Sequence, residues 1–241
     1  MQNFSWLSRT ALLTGDDKLK ILSQKKVLIV GLGGIGSFAA EAIARAGVKN
    51  ITIVDGDSIE ESNKNRQLVA LDSTEGKLKA EVMAERMRDI NPEINLTIIT
   101  SFLNPEDMEE LVRKGYDYIL ECIDSITPKV TLIALARKSK TPIICSGGAG
   151  GKLDPTKVRV ANISKVFNCK LTTQVRKRLK SQMKYLRGIN VVFSEEEVDK
   201  NSLVLTDGSN FKKSAYGTMS YLPAVFGLTV ASVAIRDLLK N

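Results

Sequence analysis

Between residues 27 and 55 the chain places an apolar run, a glycine loop, a helix signal, a second apolar run and an acid in immediate succession, an order that few folds accommodate. Val27-Leu28-Ile29-Val30 is uninterrupted and rich in β-branched residues, as in a parallel strand buried on both faces. Gly31-Leu32-Gly33-Gly34-Ile35-Gly36 follows it directly. In such a loop Gly31 and Gly33 let the backbone turn tightly and approach a phosphate, while Gly36 lets the next helix pack close to the strand. The free N–H groups at the helix start attract the anion. The pattern predicts that helix over Ser37 to Ala46, stopped by Gly47, and a second strand at Ile51-Thr52-Ile53-Val54. Asp55 then lies 19 residues past Gly36, where a carboxylate can accept ribose hydroxyls. A tight βα turn with no ligand is the plain alternative. The fold class that follows is α/β, a Rossmann-like nucleotide-binding fold whose mostly parallel sheet is flanked by helices.

An NAD site needs little beyond the loop and the acid, because its pyrophosphate carries modest charge. Here Arg66 follows the acid closely, and Lys79 stands near the start of a helix expected over Glu75 to Asp89. A triphosphate calls for such cations and for a metal with hard oxygen ligands. Tyr118 to Ile123 reads as the fourth strand, and Asp124 falls just beyond its carboxyl end, where ligands of open α/β sheets bind. Each residue also has a bland reading. Arg66 would fix a loop, Lys79 would be a solvated helix charge, and Asp124 would cap the following helix.

Strand and helix signals alternate without a linker to Pro142-Ile143-Ile144-Cys145, and the pattern changes after the Gly147 to Gly151 run. Beyond it, strands are expected at Val158 to Ala161 and Val191 to Phe193, with helices at Lys170 to Arg187 and Leu222 to Leu239. Ser194 to Tyr216 is polar and aperiodic and reads as a mobile loop. The whole of 1–241 reads as a single domain: an N-terminal helical arm (1–25), a Rossmann-like nucleotide-binding core (26–151) and a smaller basic α/β extension (152–241) expected to bind substrate and form a dimer.

Basic charge is concentrated in that extension. Lys165, Lys170, Arg176, Lys177, Arg178, Lys180, Lys184 and Arg187 fall in a stretch without Asp or Glu, and these eight account for the whole net charge of +8. A local cationic helix is the footprint expected of contact with a nucleic-acid backbone, with a solvated helix face as the alternative. Tyr185 adds a ring that can stack on a base. Histidine is absent, which removes imidazole chemistry and leaves electrostatics, positioning and a metal. Cys122, Cys145 and Cys169 form no CxxC pair for structural zinc. Cys122 and Cys145 read as strand core, and Cys169 alone as exposed enough to consider for catalysis. Unpaired cysteines, no leader-like segment and no run of about 20 apolar residues are expected of a reduced, cytoplasmic protein. Leu222 to Ile235, interrupted by Pro223 and Gly227, reads as a packed C-terminal helix.

With these residues in view, the sequence resembles the ubiquitin-activating-enzyme superfamily, which includes the adenylating enzymes of molybdopterin and thiamine biosynthesis. The motifs that carry the likeness are the 31 to 36 loop, Asp55-Gly56-Asp57, Asn63-Lys64-Asn65-Arg66-Gln67, Gly76-Lys77-Leu78-Lys79-Ala80-Glu81 and Cys122-Ile123-Asp124-Ser125. Residues 80–87, 146–156 and 163–165 are similar to motifs of one branch, the tRNA threonylcarbamoyladenosine dehydratases. The resemblance implies activation of a carboxylate by ATP as an acyl-adenylate. Gly31, Gly33, Gly34 and Gly36 would face the phosphates, and Asp55 the ribose, with Asp57 and Gln67 in the same site. Asn63, Arg66 and Lys79 would hold the polyphosphate, and Asp124 Mg2+. Ser8-Arg9-Thr10 resembles the segment whose arginine reaches the partner subunit's ATP site, which implies a homodimer. Arg176, Lys177, Arg178, Lys180, Lys184 and Arg187 would then meet tRNA. Whether a monovalent cation or a sulfur-transfer partner protein takes part is left open. Activation of a sulfur-carrier or ubiquitin-like protein is the chief alternative. An NAD-dependent oxidoreductase gives Arg66, Lys79 and Asp124 no shared purpose, and a non-catalytic scaffold would need a broken site.

Overall fold

The computed structural model describes residues 5–183, 185–205 and 214–240. Two short helices, α1 (Ser8–Thr14) and α2 (Asp16–Gln24), precede strand β1 (Lys26–Val30). Then follow α3 (Gly36–Arg45), β2 (Asn50–Val54), α4 (Lys79–Ile90), β3 (Asn95–Ile99), α5 (Pro105–Arg113), β4 (Tyr118–Glu121), α6 (Ile126–Lys138) and β5 (Ile143–Ser146). The remainder is β6 (Val158–Asn162), α7 (Lys170–Gln182), β7 (Asn190–Ser194), β8 (Leu203–Leu205), β9 (Ser214–Tyr216) and α8 (Tyr221–Leu238).

Seven strands form one sheet in the order β3-β2-β1-β4-β5-β7-β6, parallel throughout except for β6, which runs antiparallel to β7. The reversal of strand order falls between β1 and β4, and in open α/β sheets a crevice opens there at the carboxyl ends. Residues 152–241 supply β6 and β7 to this same sheet. They also supply α8, which covers one face of it: Leu222, Phe226, Val230 and Ala234 join Ile29, Ile43 and Leu120 in one core. At Gly227 α8 passes close to the start of α3, where a β-carbon would lie 2.3 Å from the Ile35 carbonyl oxygen. By length and composition α8 is apolar enough to cross a membrane, yet half of it is buried inside the protein. On the other sheet face α5, α6 and α7 bury Met108, Leu132, Ile133, Val175 and Leu179.

Three expected elements differ. Helix α4 begins at Lys79 rather than Glu75, because residues 76–79 pair with the segment after β2: Gly76 N–H donates to Ile59 O (2.9 Å), Ile59 N–H to Lys77 O (2.8 Å) and Lys79 N–H to Asp57 O (3.0 Å). Helix α7 ends at Gln182, five residues short of Arg187. There the chain turns through Gly188, at φ +81°, to bury Leu186 and Ile189. Arg187 therefore stands on a turn, and Lys184 lies outside the described residues. The segment after β7 is not wholly irregular: β8 and β9 form an antiparallel ladder. Residues 206–213 of the expected loop lie outside the described residues; the described part is tied down by Gly151 N–H to Gly217 O (2.8 Å), Gly217 N–H to Ser202 O (2.9 Å) and Asp199 N–H to Gly151 O (2.8 Å).

Candidate nucleotide site

The carboxyl ends of β1, β2 and β4 converge where the sequence motifs require. Gly31 leaves β1 at φ +91°, and a β-carbon there would sit 2.7 Å from the Cys122 carbonyl oxygen, so the loop passes directly beside the end of β4. At Gly36 a β-carbon would fall 1.7 Å from Gly31 O, which confines that position to glycine. Gly34 is close-packed as well, against Pro223 and the Arg66 backbone. Gly33 differs: the nearest atom to a β-carbon there is Gln67 Nε2 at 3.9 Å, so its backbone remains approachable. Helix α3 starts at Gly36 with no side chain capping it. An anion is the natural partner for such an end.

Asp55, at the end of β2, is gripped by the loop it faces. Its Oδ2 accepts from Leu32 N–H at 2.6 Å and its Oδ1 from Asp57 N–H at 2.9 Å. Burial pushes the Asp55 carboxyl above its ordinary value, against the pull of those hydrogen bonds and of the Lys79 charge. Lys79 is not a solvated helix charge. It is buried, and its Nζ donates to Asp57 Oδ2 at 2.8 Å. The pair places a cation near Asp55, at the first position of α4. Asn63 is buried, accepting from Glu60 N–H at 3.3 Å through Oδ1. Gln67 is buried too, and its Oε1 has no hydrogen-bond partner, an orphan acceptor beside the glycine loop. Arg66 donates to Ser62 O (2.9 Å) and Asn65 Oδ1 (2.8 Å), the loop-fixing arrangement.

Asp124 is exposed three residues past the end of β4. It does not cap α6, whose N-cap is Ser125. A single exposed carboxylate at the carboxyl end of the sheet is a hard oxygen donor that would suit Mg2+, which takes one or two carboxylates together with phosphate oxygens and water. Arg9 is exposed on α1. The cysteines offer no nucleophile. Burial pushes Cys122 up to about 12 and Cys145 well above its ordinary value. Cys169, expected to be exposed, is buried as the N-cap of α7, with Sγ 3.2 Å from Thr172 Oγ1 and accepting from Gly148 N–H at 3.4 Å.

On α7, Arg176 is turned inward, its Nη1 donating to Ile163 O (3.1 Å) and Val166 O (2.7 Å). Arg178 donates to Thr127 Oγ1 on α6 at 2.9 Å. Lys177, Lys180 and Arg187 are exposed. Two features belong to none of the sequence motifs. Glu121 and Lys129 form a buried ion pair under the Asp124 turn, and a charge at the end of the apolar run 118–123 is the available signal. Phe102, 61% exposed, would lie 3.0 Å from a β-carbon at Gly56, between Asp55 and Asp57.

A sheet reversal with a glycine loop, a ribose-type acid and a buried lysine beside it defines a nucleotide-binding α/β protein of the Rossmann-like kind. The chain belongs to the ThiF family, whose model matches residues 7–241. It is 36% identical to the tRNA threonylcarbamoyladenosine dehydratase of Escherichia coli K12, over 98% of this chain and 96% of that protein. It is also 36% identical to the Bacillus subtilis protein of the same name, over 97% and 94% respectively. The crystal structure of the E. coli protein in complex with ATP matches with a TM-score of 0.89 at 36% identity, covering 98% of this chain and 95% of that one.

Proposed function

We propose that this chain is an ATP-dependent tRNA threonylcarbamoyladenosine dehydratase. The observation that carries the reading is the convergence of Gly33, Asp55, the Asp57–Lys79 pair and Asp124 at the sheet reversal. Near-full-length similarity to proteins of that name, one of them solved with ATP, supports it. The chain's residues divide the work. The glycine loop and the start of α3 receive phosphate oxygens, with Gly34 and Gly36 shaping the loop around Gly33. Asp55 takes the ribose hydroxyls, and Phe102 offers a ring face for the base. Asn63, Gln67, Arg66 and Lys79 line the polyphosphate, and Asp57 orients Lys79. Arg66 leaves its hydrogen bonds within the loop to do so. Asp124 holds Mg2+, which supplies charge neutralisation on the phosphates.

The substrate carboxylate of the threonylcarbamoyl group attacks the α-phosphorus, the bond to the bridging oxygen breaks, and pyrophosphate leaves. A nucleophilic atom of the same modification then attacks the acyl carbon and gives up its proton. AMP departs with the former carboxylate oxygen, closing the ring with net loss of water. Ring closure is intramolecular, so holding the reacting atoms together supplies much of the acceleration. That agrees with a buried Cys145 and Cys169, a half-buried Cys122 whose thiol is pushed up to about 12, and an absence of histidine. Activation of a sulfur-carrier protein would use the same ATP site, but the exposed cations of α7 favour RNA.

The active unit is a homodimer in this reading, with Arg9 reaching the partner's site. Leu12 and Leu13, 84% and 86% exposed on the same arm, provide apolar surface for a second copy to cover. A cytoplasmic location follows from a tRNA substrate. Lys79→Ala or Asp124→Ala is expected to lower tRNA-dependent pyrophosphate release at least about a hundredfold, the scale of losing one preorganised electrostatic group. Unchanged turnover in Asp124→Ala, measured with saturating Mg2+, contradicts the assignment.

A further inference from the structure

Glu121 closes β4 and Lys129 lies in the first turns of α6; their side chains are 0% and 2% exposed, with Lys129 Nζ 2.5 Å from Glu121 Oε2. The same two groups hold the backbone of one residue on both sides, at its N–H and at its C=O. Ile123 N–H donates to Glu121 Oε1 at 2.8 Å, and Lys129 Nζ donates to Ile123 O at 2.7 Å. Ile123 is the residue immediately before Asp124.

Fold stability alone is a poor reason for this arrangement. Burying two charges costs several kcal/mol per ion, and apolar side chains of similar volume commonly replace such pairs without loss. Burial does push the Glu121 carboxyl above its ordinary value, with the Lys129 charge opposing. What apolar residues cannot do is satisfy both the backbone donor and the backbone acceptor of a residue beyond the end of the strand ladder. Cys122 N–H still reaches Val30 O at 2.9 Å, but β4 itself ends at Glu121.

We infer that Glu121 and Lys129 clamp the Ile123 backbone, its N–H and its C=O, and so fix the two successive peptides from which Asp124 would meet the metal–triphosphate. They are positioning residues for that site. The inference rests on the reading of Asp124 as the Mg2+ ligand. Groups behind a metal ligand typically set metal affinity by about 10- to 100-fold, which gives the expected scale.

The test is calorimetric binding of ATP to the full chain with and without Mg2+, which needs no turnover. The double variant Glu121→Leu/Lys129→Met removes the clamp without leaving a lone buried charge. Glu121→Asp keeps the charge but withdraws the carboxylate by one methylene, and it serves if the double variant does not fold. In either, ATP alone is expected to bind as in the parent, while the tightening by Mg2+ shrinks about tenfold. A folded clamp variant with parental Mg2+ tightening overturns the inference. Asp124→Ala separates the two levels. If it loses the tightening while the clamp variants keep it, the metal reading stands and the clamp falls; if it too binds like the parent, the metal reading falls and takes the clamp with it.

Discussion

Gly33 and Gly36 stand three residues apart, and the space around them separates a binding role from a folding role. A β-carbon at Gly36 would collide with the Gly31 carbonyl oxygen at 1.7 Å, whereas at Gly33 it would meet nothing closer than 3.9 Å. Gly36→Ala is therefore expected to cost on the order of 3 kcal/mol in a denaturant titration. Gly33→Ala should melt close to the parent yet bind ATP at least about tenfold more weakly, because the added methyl stands where a phosphate would approach. Equal effects of the two variants on stability would contradict that division. At this scale the sequence is informative about residue types and less so about their partners. Asp55 and Lys79 are legible from spacing. The Lys79–Asp57 ion pair is not, since it depends on where α4 begins, and that is set by pairing across 57–59 and 76–79. Cys169 misleads because its neighbours in sequence are basic, while its thiol turns inward to cap α7.

Helix α7 shows how far charge patterning carries at the level of one element. Its cations read in the sequence as a single phosphate-binding row, but Arg176 is occupied by the carbonyls of Ile163 and Val166, and Arg187 is beyond the helix end. Besides Lys170 at its first position, Lys177, Lys180 and Arg178 are the exposed members on the helix itself. Reversing these three should weaken tRNA binding and reduce its log–log salt slope by about 0.9 for each phosphate that is no longer neutralised, leaving ATP binding unchanged. Arg176→Glu should instead lower thermal stability, by stranding two carbonyl groups. If the triple reversal leaves the tRNA salt slope at the parental value, α7 is ordinary solvated surface. Sequence periodicity also runs the helix too far because the apolar Leu186 and Ile189 continue its pattern, although they belong to the turn into β7. The β8–β9 pairing is hidden for the opposite reason: three-residue strands are too short to show a period.

For the molecule as a whole, the strand order is the decisive fact that no single motif contains. Apolar runs predict the strands of the nucleotide half, but only the order β3-β2-β1-β4 brings the ends of β1, β2 and β4 to one crevice. The proposed homodimer assigns assembly beyond one chain to the N-terminal arm, and mixing subunits tests it. Arg9→Ala and Lys79→Ala proteins, each weakly active alone, are expected to regain up to about a quarter of parental turnover when mixed, since random pairing leaves one intact composite site in half of the dimers. Mixtures that stay inactive while both proteins fold and exchange subunits would show that Arg9 does not act in trans. The central claim is that the ATP site activates a carboxylate on tRNA, and it is tested most directly by incubating threonylcarbamoyladenosine-bearing tRNA with the protein, ATP and Mg2+, digesting to nucleosides and weighing them. The modified nucleoside is expected to lose the mass of one water only when ATP is present, with one AMP formed per event. An unchanged nucleoside mass under conditions where the protein binds both ATP and that tRNA would contradict it.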